Sequence, residues 1–322
     1  MRSGRELTRS TAPGGTAKLL MAWADGATTE CVMIPGDGAR RTVCLSTQVG
    51  CDVGCTFCAS GIGGAQRDLT VGEVLEQALA VGDLLGEAGE RLSHVVFMGM
   101  GEPLANYDVT VAAARRLNAE HGLGIAQRRI TISTVGLPKQ IERLAGEGLQ
   151  ITLAVSLHAP NDALRRELIP WARGIPLDRL LEACRRYFER TGRELTFEYC
   201  LLAGVNDQPE HADQLSAIAR RLRAHVNLLM YNPVPSLPYD LPSRNAAIDF
   251  LKRLRGAGVN AHLRESRGLE ADAACGQLRR RRLSGRSPPR PAGASQRLCL
   301  AGCDLLGSSG ISPGLGRDRF RR

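Results

Sequence analysis

The sequence predicts an α/β protein, a partial (β/α) barrel, on three observations. Seven short apolar runs alternate with six stretches of helical period. Runs separated by helices pair in parallel, because a parallel crossover needs a dozen residues or more. Six βα repeats exceed a simple two-layer unit and favour a barrel arrangement, with a doubly wound open sheet as the alternative.

The elements follow in order along the 322 residues. Residues 1–17 are polar and rich in Gly, Ser and Thr, which predicts a poorly ordered terminus. Residues 18–23 and 29–34 flank Ala24-Asp25-Gly26 and read as a hairpin, within an extension spanning 18–41. Strand-like runs are then expected at 42–48, 94–98, 129–134, 151–157, 195–202, 225–231 and 259–264. Helical patterns fall between them, at about 71–89, 107–119, 138–147, 177–191, 208–224 and 244–256. The first helix opens on Thr70-Val71-Gly72-Glu73, a capping box in which each side chain can satisfy the other residue's backbone N–H. These repeats define a catalytic domain over 42–282. Composition changes after Leu278, through an arginine run and Ser287-Pro288-Pro289-Arg290-Pro291 into Gly- and Ser-rich sequence. The stretch 283–322 therefore reads as a basic, low-complexity, disordered tail.

Composition excludes several classes. Hydrophobic residues make up 43%, enough for a sizeable core, and aromatics only 4%, so that core is aliphatic. A run of about 18 apolar residues, the length of a membrane-spanning helix, does not occur. The basic start lacks the apolar stretch of a secretory signal, which points to a cytoplasmic protein. The net charge of +9 belongs to the tail, where residues 279–322 hold eleven Arg and two Asp. The preceding 278 residues hold equal numbers of acids and bases, thirty-one each. Any nucleic-acid affinity of the body must therefore come from local patches.

Ten cysteines in a chain without an export signal ask for an explanation other than disulfide staples. Cys51-Asp52-Val53-Gly54-Cys55-Thr56-Phe57-Cys58 gives one: C-x3-C-x2-C, directly after the first strand of the βα series. Three thiolates at this spacing can wrap one metal centre and leave a fourth position open, as a catalytic site needs. The alternatives are a zinc site completed by His94 or His158, and inert core thiols.

With Phe57 before its last cysteine, this motif resembles the signature of the radical S-adenosylmethionine (SAM) superfamily. The resemblance implies a 4Fe-4S cluster held by Cys51, Cys55 and Cys58, with SAM chelating the open iron. Reduction then cleaves SAM to a 5′-deoxyadenosyl radical. Gly99-Met100-Gly101-Glu102-Pro103, after the expected strand 94–98, looks like the superfamily's SAM-binding turn. Glycine allows close backbone approach, and Glu102 can accept from the SAM ammonium.

The segment 267–278, containing Ala273-Ala274-Cys275-Gly276-Gln277-Leu278, resembles the end of the RlmN family of dual-specificity 23S rRNA/tRNA adenine-C2 methyltransferases. So do 43–51, 96–106, 131–136, Ser156-Leu157-His158-Ala159-Pro160-Asn161-Asp162 and Tyr231-Asn232-Pro233, and the likeness runs from about residue 18 to 280. C2 of adenine is unactivated toward ordinary attack on SAM. The resemblance implies that Cys275 takes a methyl from one SAM and that a second SAM supplies the radical, two SAM per turnover. The S-methyl becomes a methylene radical that adds to the base. Cys44 matches the cysteine that releases the RNA adduct by forming a disulfide with Cys275. Glu30 matches the base that takes the C2 proton; its alternative is an exposed hairpin Glu.

SAM contacts implied in the same way are Gly101, Glu102, Ser133, Ser156, Leu157, His158 and Asn232. Their simpler explanations are strand-end hydroxyls, a buried hydrogen-bonded His and a turn Asn. Their shared place at successive strand ends favours one pocket. Cys184 and Cys200 read as core, and Cys31, Cys299 and Cys303 match no functional position. Implied partners are 23S rRNA, tRNA and an electron donor such as flavodoxin or ferredoxin, with no membrane and a monomeric enzyme. The family usually adds a helical N-terminal domain that helps hold RNA; here about 17 residues precede the hairpin. Competing functions are Cfr-like C8 methylation and a non-catalytic, metal-stapled RNA-binding module.

Overall fold

A computed structural model describes residues 3–264 with 278 and 279, all inside one compact unit spanning Met1–Pro288. The expected tail over 283–322 lies outside the described residues. A ten-stranded sheet runs β1 (Arg5–Thr11), β2 (Ala17–Ala22), β3 (Thr28–Pro35), β4 (Arg41–Cys44), then β7 (His94–Phe97), β8 (Ile130–Thr134), β9 (Thr152–Ser156), β10 (Leu195–Leu201), β11 (His225–Met230) and β12 (Ala261–Arg264). Strands β1 to β4 pair antiparallel. From β4 to β12 every neighbouring pair is parallel. The sheet is open, with β1 and β12 at its edges, so the barrel is partial, as expected.

The central parallel strands β8, β9 and β10 are mostly buried, as strands covered on both faces are, while β7, β11 and β12 mix buried with half-buried or exposed positions. Helices α1 (Val71–Glu87), α2 (Tyr107–Asn118), α3 (Pro138–Ala145), α4 (Asp162–Leu168), α5 (Leu177–Thr191), α6 (Pro209–Leu222) and α7 (Arg244–Gly256) make the crossovers. Their ends carry local signals. The Thr70 capping box forms, with Thr70 Oγ1 accepting from Glu73 N at 3.2 Å and Glu73 from Thr70 N at 2.8 Å. Pro138 and Pro209 occupy the first helical position, where a missing N–H costs nothing. The aliphatic core lies between helices and sheet. A second, smaller core of Val53, Phe57, Val135, Ala159, Leu168, Ile169, Cys200 and Tyr231 caps the C-terminal strand ends.

Three expectations need correction. Residues 5–11 are not a loose terminus: they form β1 and pair with β2 from Arg5↔Ala22 to Thr11↔Ala17. Their alternating, half-exposed pattern suits an edge strand, and Ser3 N and Gly4 N donate to Glu76 of α1. The run expected at 42–48 ends at Cys44, and the chain then forms a separate hairpin of β5 (Gln48–Gly50) and β6 (Ala65–Asp68). Helix α4 was not expected, being one turn or two of mixed polarity capped by Asn161, whose side chain accepts from Leu164 N at 3.0 Å.

Candidate active site

The cysteine loop lies between β5 and β6, at the C-terminal end of the parallel strands. Gly50 closes its base, with φ of 91° and a position at which any Cβ would stand 2.1 Å from Gly64 O. Cys51 N donates to Gly64 O at 3.3 Å, Ala65 N to Asp52 Oδ1 at 2.6 Å and Cys58 N to Cys55 O at 3.1 Å. Thr56 N reaches Leu168 O of α4 at 3.0 Å, which fixes the loop to the small core. The three cysteines are half-buried.

Burial, with the neighbouring thiols and Glu102 adding to it, pushes Cys51 up to about 12 and Cys55 well above the ordinary thiol range. Such a set becomes thiolate readily only with a cation among the sulfurs. Among the described residues no three His, Cys, Asp or Glu side chains converge as a mononuclear metal site requires. His94 is no partner for the loop: it opens β7, at the opposite end of the strand, and its Nδ1 is bonded to Ser93 Oγ at 2.9 Å.

The glycine-rich turn follows β7. Gly101 has φ of 102°, and a Cβ there would meet Gln48 Cβ at 2.7 Å, so the turn packs directly on the chain entering the cysteine loop. Thr47 N donates to Met100 O at 2.8 Å and Glu102 N to Gln48 Oε1 at 2.9 Å. The Glu102 carboxylate is buried and accepts from Leu104 N at 2.9 Å and Val135 N at 2.8 Å. Burial outweighs these bonds and raises its pKa to about 7.

A cavity of about 470 Å³ opens over the strand ends. Cys51, Cys55, Cys58, Gly101, Glu102, Ser133, Ser156, His158 and Asn232 all line it. Ser133 and Ser156 bond to each other across β8 and β9, Oγ to Oγ, at 3.2 Å. His158 has φ of 53°, accepts from Cys200 N through Nδ1 at 3.0 Å and stands edge-on to Phe57 at 5.0 Å. Burial first, and the Arg165 charge second, lower its pKa to about 3, so it is a neutral imidazole whose remaining proton sits on Nε2. Asn232 lines the cavity, and its Oδ1 is buried without a hydrogen-bond partner from the protein. A buried carboxyl group, an unmatched amide oxygen and three clustered cysteines around one cavity fit a cluster and an amino-acid-bearing cofactor.

Other expected residues lie elsewhere. Leu157 is buried in the main core, and its N–H donates to Glu198 O at 3.0 Å. Glu30 and Cys44 do not line the cavity but lie on β3 and β4, where Val32 pairs with Cys44 and Ile34, on the same strand face as Glu30, lines the cavity. Glu30 is not an exposed hairpin residue: it is buried, with Oε2 2.8 Å from Lys18 Nζ and Oε1 accepting from Arg279 N at 2.6 Å. Every described cysteine is a free thiol, Cys44 included, and Cys275 lies outside the described residues. The expected Cys44–Cys275 disulfide is thus not seen.

Sequence reasoning missed Glu198. It lines the cavity from β10, accepts from Asn227 Nδ2 at 2.9 Å and is raised by burial to about 7. A single acid inside the apolar run Leu195-Thr196-Phe197-Glu198-Tyr199-Cys200 was the available signal.

Residues 45–215 match the Radical SAM superfamily. The chain is 53% identical to a protein of Thermosynechococcus vestitus named "Probable dual-specificity RNA methyltransferase RlmN", covering 85% of this chain and 80% of that one. It is 53% identical to the protein of the same name from Rhodopirellula baltica, over 86% and 74%. The fold is similar to the crystal structure of a radical SAM methyltransferase from Sphaerobacter thermophilus, with a TM-score of 0.83 at 45% identity, covering 86% and 81%.

Proposed function

This chain belongs to the radical SAM superfamily and, within it, to the RlmN-type RNA methyltransferases, and on that premise we propose that it methylates C2 of adenine in 23S rRNA and tRNA. The observation that carries the reading is the single cavity in which the cysteine loop faces Glu102, Ser133, Ser156, His158 and Asn232.

When bound, the cluster supplies the electron that lets SAM yield its radical. The protein's part is positioning. Cys51, Cys55 and Cys58 hold the cluster. Glu102 and Asn232 offer acceptors to the SAM ammonium. Ser133, Ser156 and neutral His158 offer donors at the adjoining strand ends, and Leu157 contributes backbone only. Cys275 carries the methyl group, Cys44 releases the RNA adduct, and Glu30 takes the C2 proton. Arg279, four residues past Cys275, is bonded to Glu30 and Thr28, which supports a carrier segment ending beside the β2–β3 hairpin. Each turnover uses two SAM, with electrons from a flavodoxin- or ferredoxin-type donor, in a monomeric, cytoplasmic enzyme. Among the described residues no helix is long and apolar enough to cross a membrane.

The test is the product and the adduct. Cys275→Ala should keep the iron content of the wild type and form no methylated RNA. Cys44→Ala, purified from RNA-containing cells, should carry a nuclease-sensitive adduct by intact mass, and the double variant should not. Nucleoside analysis should give 2-methyladenosine; the 8-methyl product would replace C2 by C8. Stoichiometric zinc without iron would instead leave a metal-stapled RNA-binding module.

A further inference from the structure

Arg165 is the largest fully buried side chain among the described residues, at 0% exposure. Its Nη2 donates to Val135 O in a short contact, while Nε and Nη1 are buried without a partner. Its neighbour Arg166 takes Asp162, at 3.9 Å, and among the described residues no carboxylate forms an ion pair with Arg165. A guanidinium stays charged even here, because its ordinary pKa leaves ample room: burial brings it down only to about 10. A buried, charged group without a counter-ion is costly and persists where something compensates it.

The surroundings show what that is. Helix α4 carries Arg165, and its last turn receives the cysteine loop through Thr56 N. Leu168 and Ile169, beside Arg165 in sequence, pack with Val53 and Phe57 of that loop, against which Cys51, Cys55 and Cys58 also rest. The Arg165 charge is felt first by the half-exposed Asp162, which is not in ion-pair contact with it, then by Cys55 of the loop and Cys184, and it acts on His158. Val135, which takes the Nη2 bond, is itself a wall of the cavity.

We propose that Arg165 is the built-in counter-charge of the iron–sulfur centre, a positioning residue that raises its reduction potential. This rests on the radical SAM reading of the same site. A 4Fe-4S core bound by three thiolates is a net monoanion when oxidised and a dianion after accepting one electron from the external donor. A fixed cation nearby stabilises the dianion more, and cluster potentials respond to local charge in this sense.

The experiment is a redox titration of the full chain, with its cluster reconstituted anaerobically and the reduced form followed by electron paramagnetic resonance. Arg165→Met should bind iron like the wild type yet be harder to reduce. At a fixed solution potential its reduced-to-oxidised ratio should fall about tenfold, a downward shift of about 59 mV for a one-electron couple. Arg165→Lys, which keeps the charge with fewer donors, should titrate close to the wild type. A Met variant that titrates with the wild type overturns the proposal. If the Met variant fails to fold, the Lys variant decides, and a tenfold loss there overturns charge as the cause. Failure of both to fold assigns Arg165 to structure alone and also overturns it. Absence of an iron–sulfur signal from the wild type would instead remove the radical SAM reading.

Discussion

Among the described residues two basic side chains are wholly buried, and they are treated in opposite ways. Lys18, on β2, meets Glu30 at 2.8 Å, and the backbone of Arg279 binds the same carboxylate. Arg165, on α4, has one carbonyl bond and no ion-pair partner among the described residues. The first charge is cancelled within the protein and serves as a clamp. The second is held beside the cysteine loop, where a cluster brings the missing negative charge. One buried cation is thus compensated by a carboxylate of the protein, itself the proposed proton acceptor, and the other has no ion pair among the described residues.

The comparison breaks most sharply at the clamp. Lys18→Met leaves the Glu30 carboxylate buried without its ammonium and should cost about 3–5 kcal/mol in denaturant unfolding. Lys18→Met with Glu30→Leu removes both charges and should recover most of that loss, since apolar replacement of a buried pair is often neutral. An additive double variant would mean that the pair is not the unit of stability.

Arg165→Met in the cluster-free protein should behave differently. It loses the bond to Val135 O, worth about 1.5–3 kcal/mol for a charged donor, but also relieves the desolvation of an unpaired cation. The net cost should be about 1 kcal/mol or less by the same measurement. A loss as large as that of Lys18→Met would erase the distinction.

The cavity acid Glu198 sharpens the contrast through pH. Its pKa is raised by burial from 4.5 to about 7, so the folded state binds the extra proton in that window. Its contribution to stability is therefore greatest below pH about 4.5 and declines as pH rises to about 7. The stability of wild type relative to Glu198→Gln should fall across that range. A constant difference would mean that Glu198 is ionised throughout.

A control remote from both charges closes the comparison. Thr70→Ala removes the α1 cap and should cost about 1 kcal/mol, leaving iron content unchanged.

Much of the fold was legible because its signals are local. Six expected helices formed within a few residues of their periodic stretches, fixed by the Thr70 box, the prolines at 138 and 209, and the apolar stripes between. The cysteine loop and the glycine turn were legible as well, since chelating thiols and close backbone approach need particular residues in sequence order. β1 was not, because Glu6-Leu7-Thr8-Arg9-Ser10-Thr11 is polar and becomes a strand only by pairing with β2.

Sequence alone determined the chemistry, through three cysteines at fixed spacing and an acid behind two glycines. Tertiary structure alone decided how the charges are shared. Lys18 and Glu30 lie twelve residues apart and meet through the β2–β3 register, while Arg279 arrives from the far end of the chain. In sequence Arg165 is indistinguishable from its neighbour Arg166, and Glu198 shows only as a single acid in an apolar run. Burial changes both, because the free energy of a charge depends on what surrounds it, which residue order does not specify.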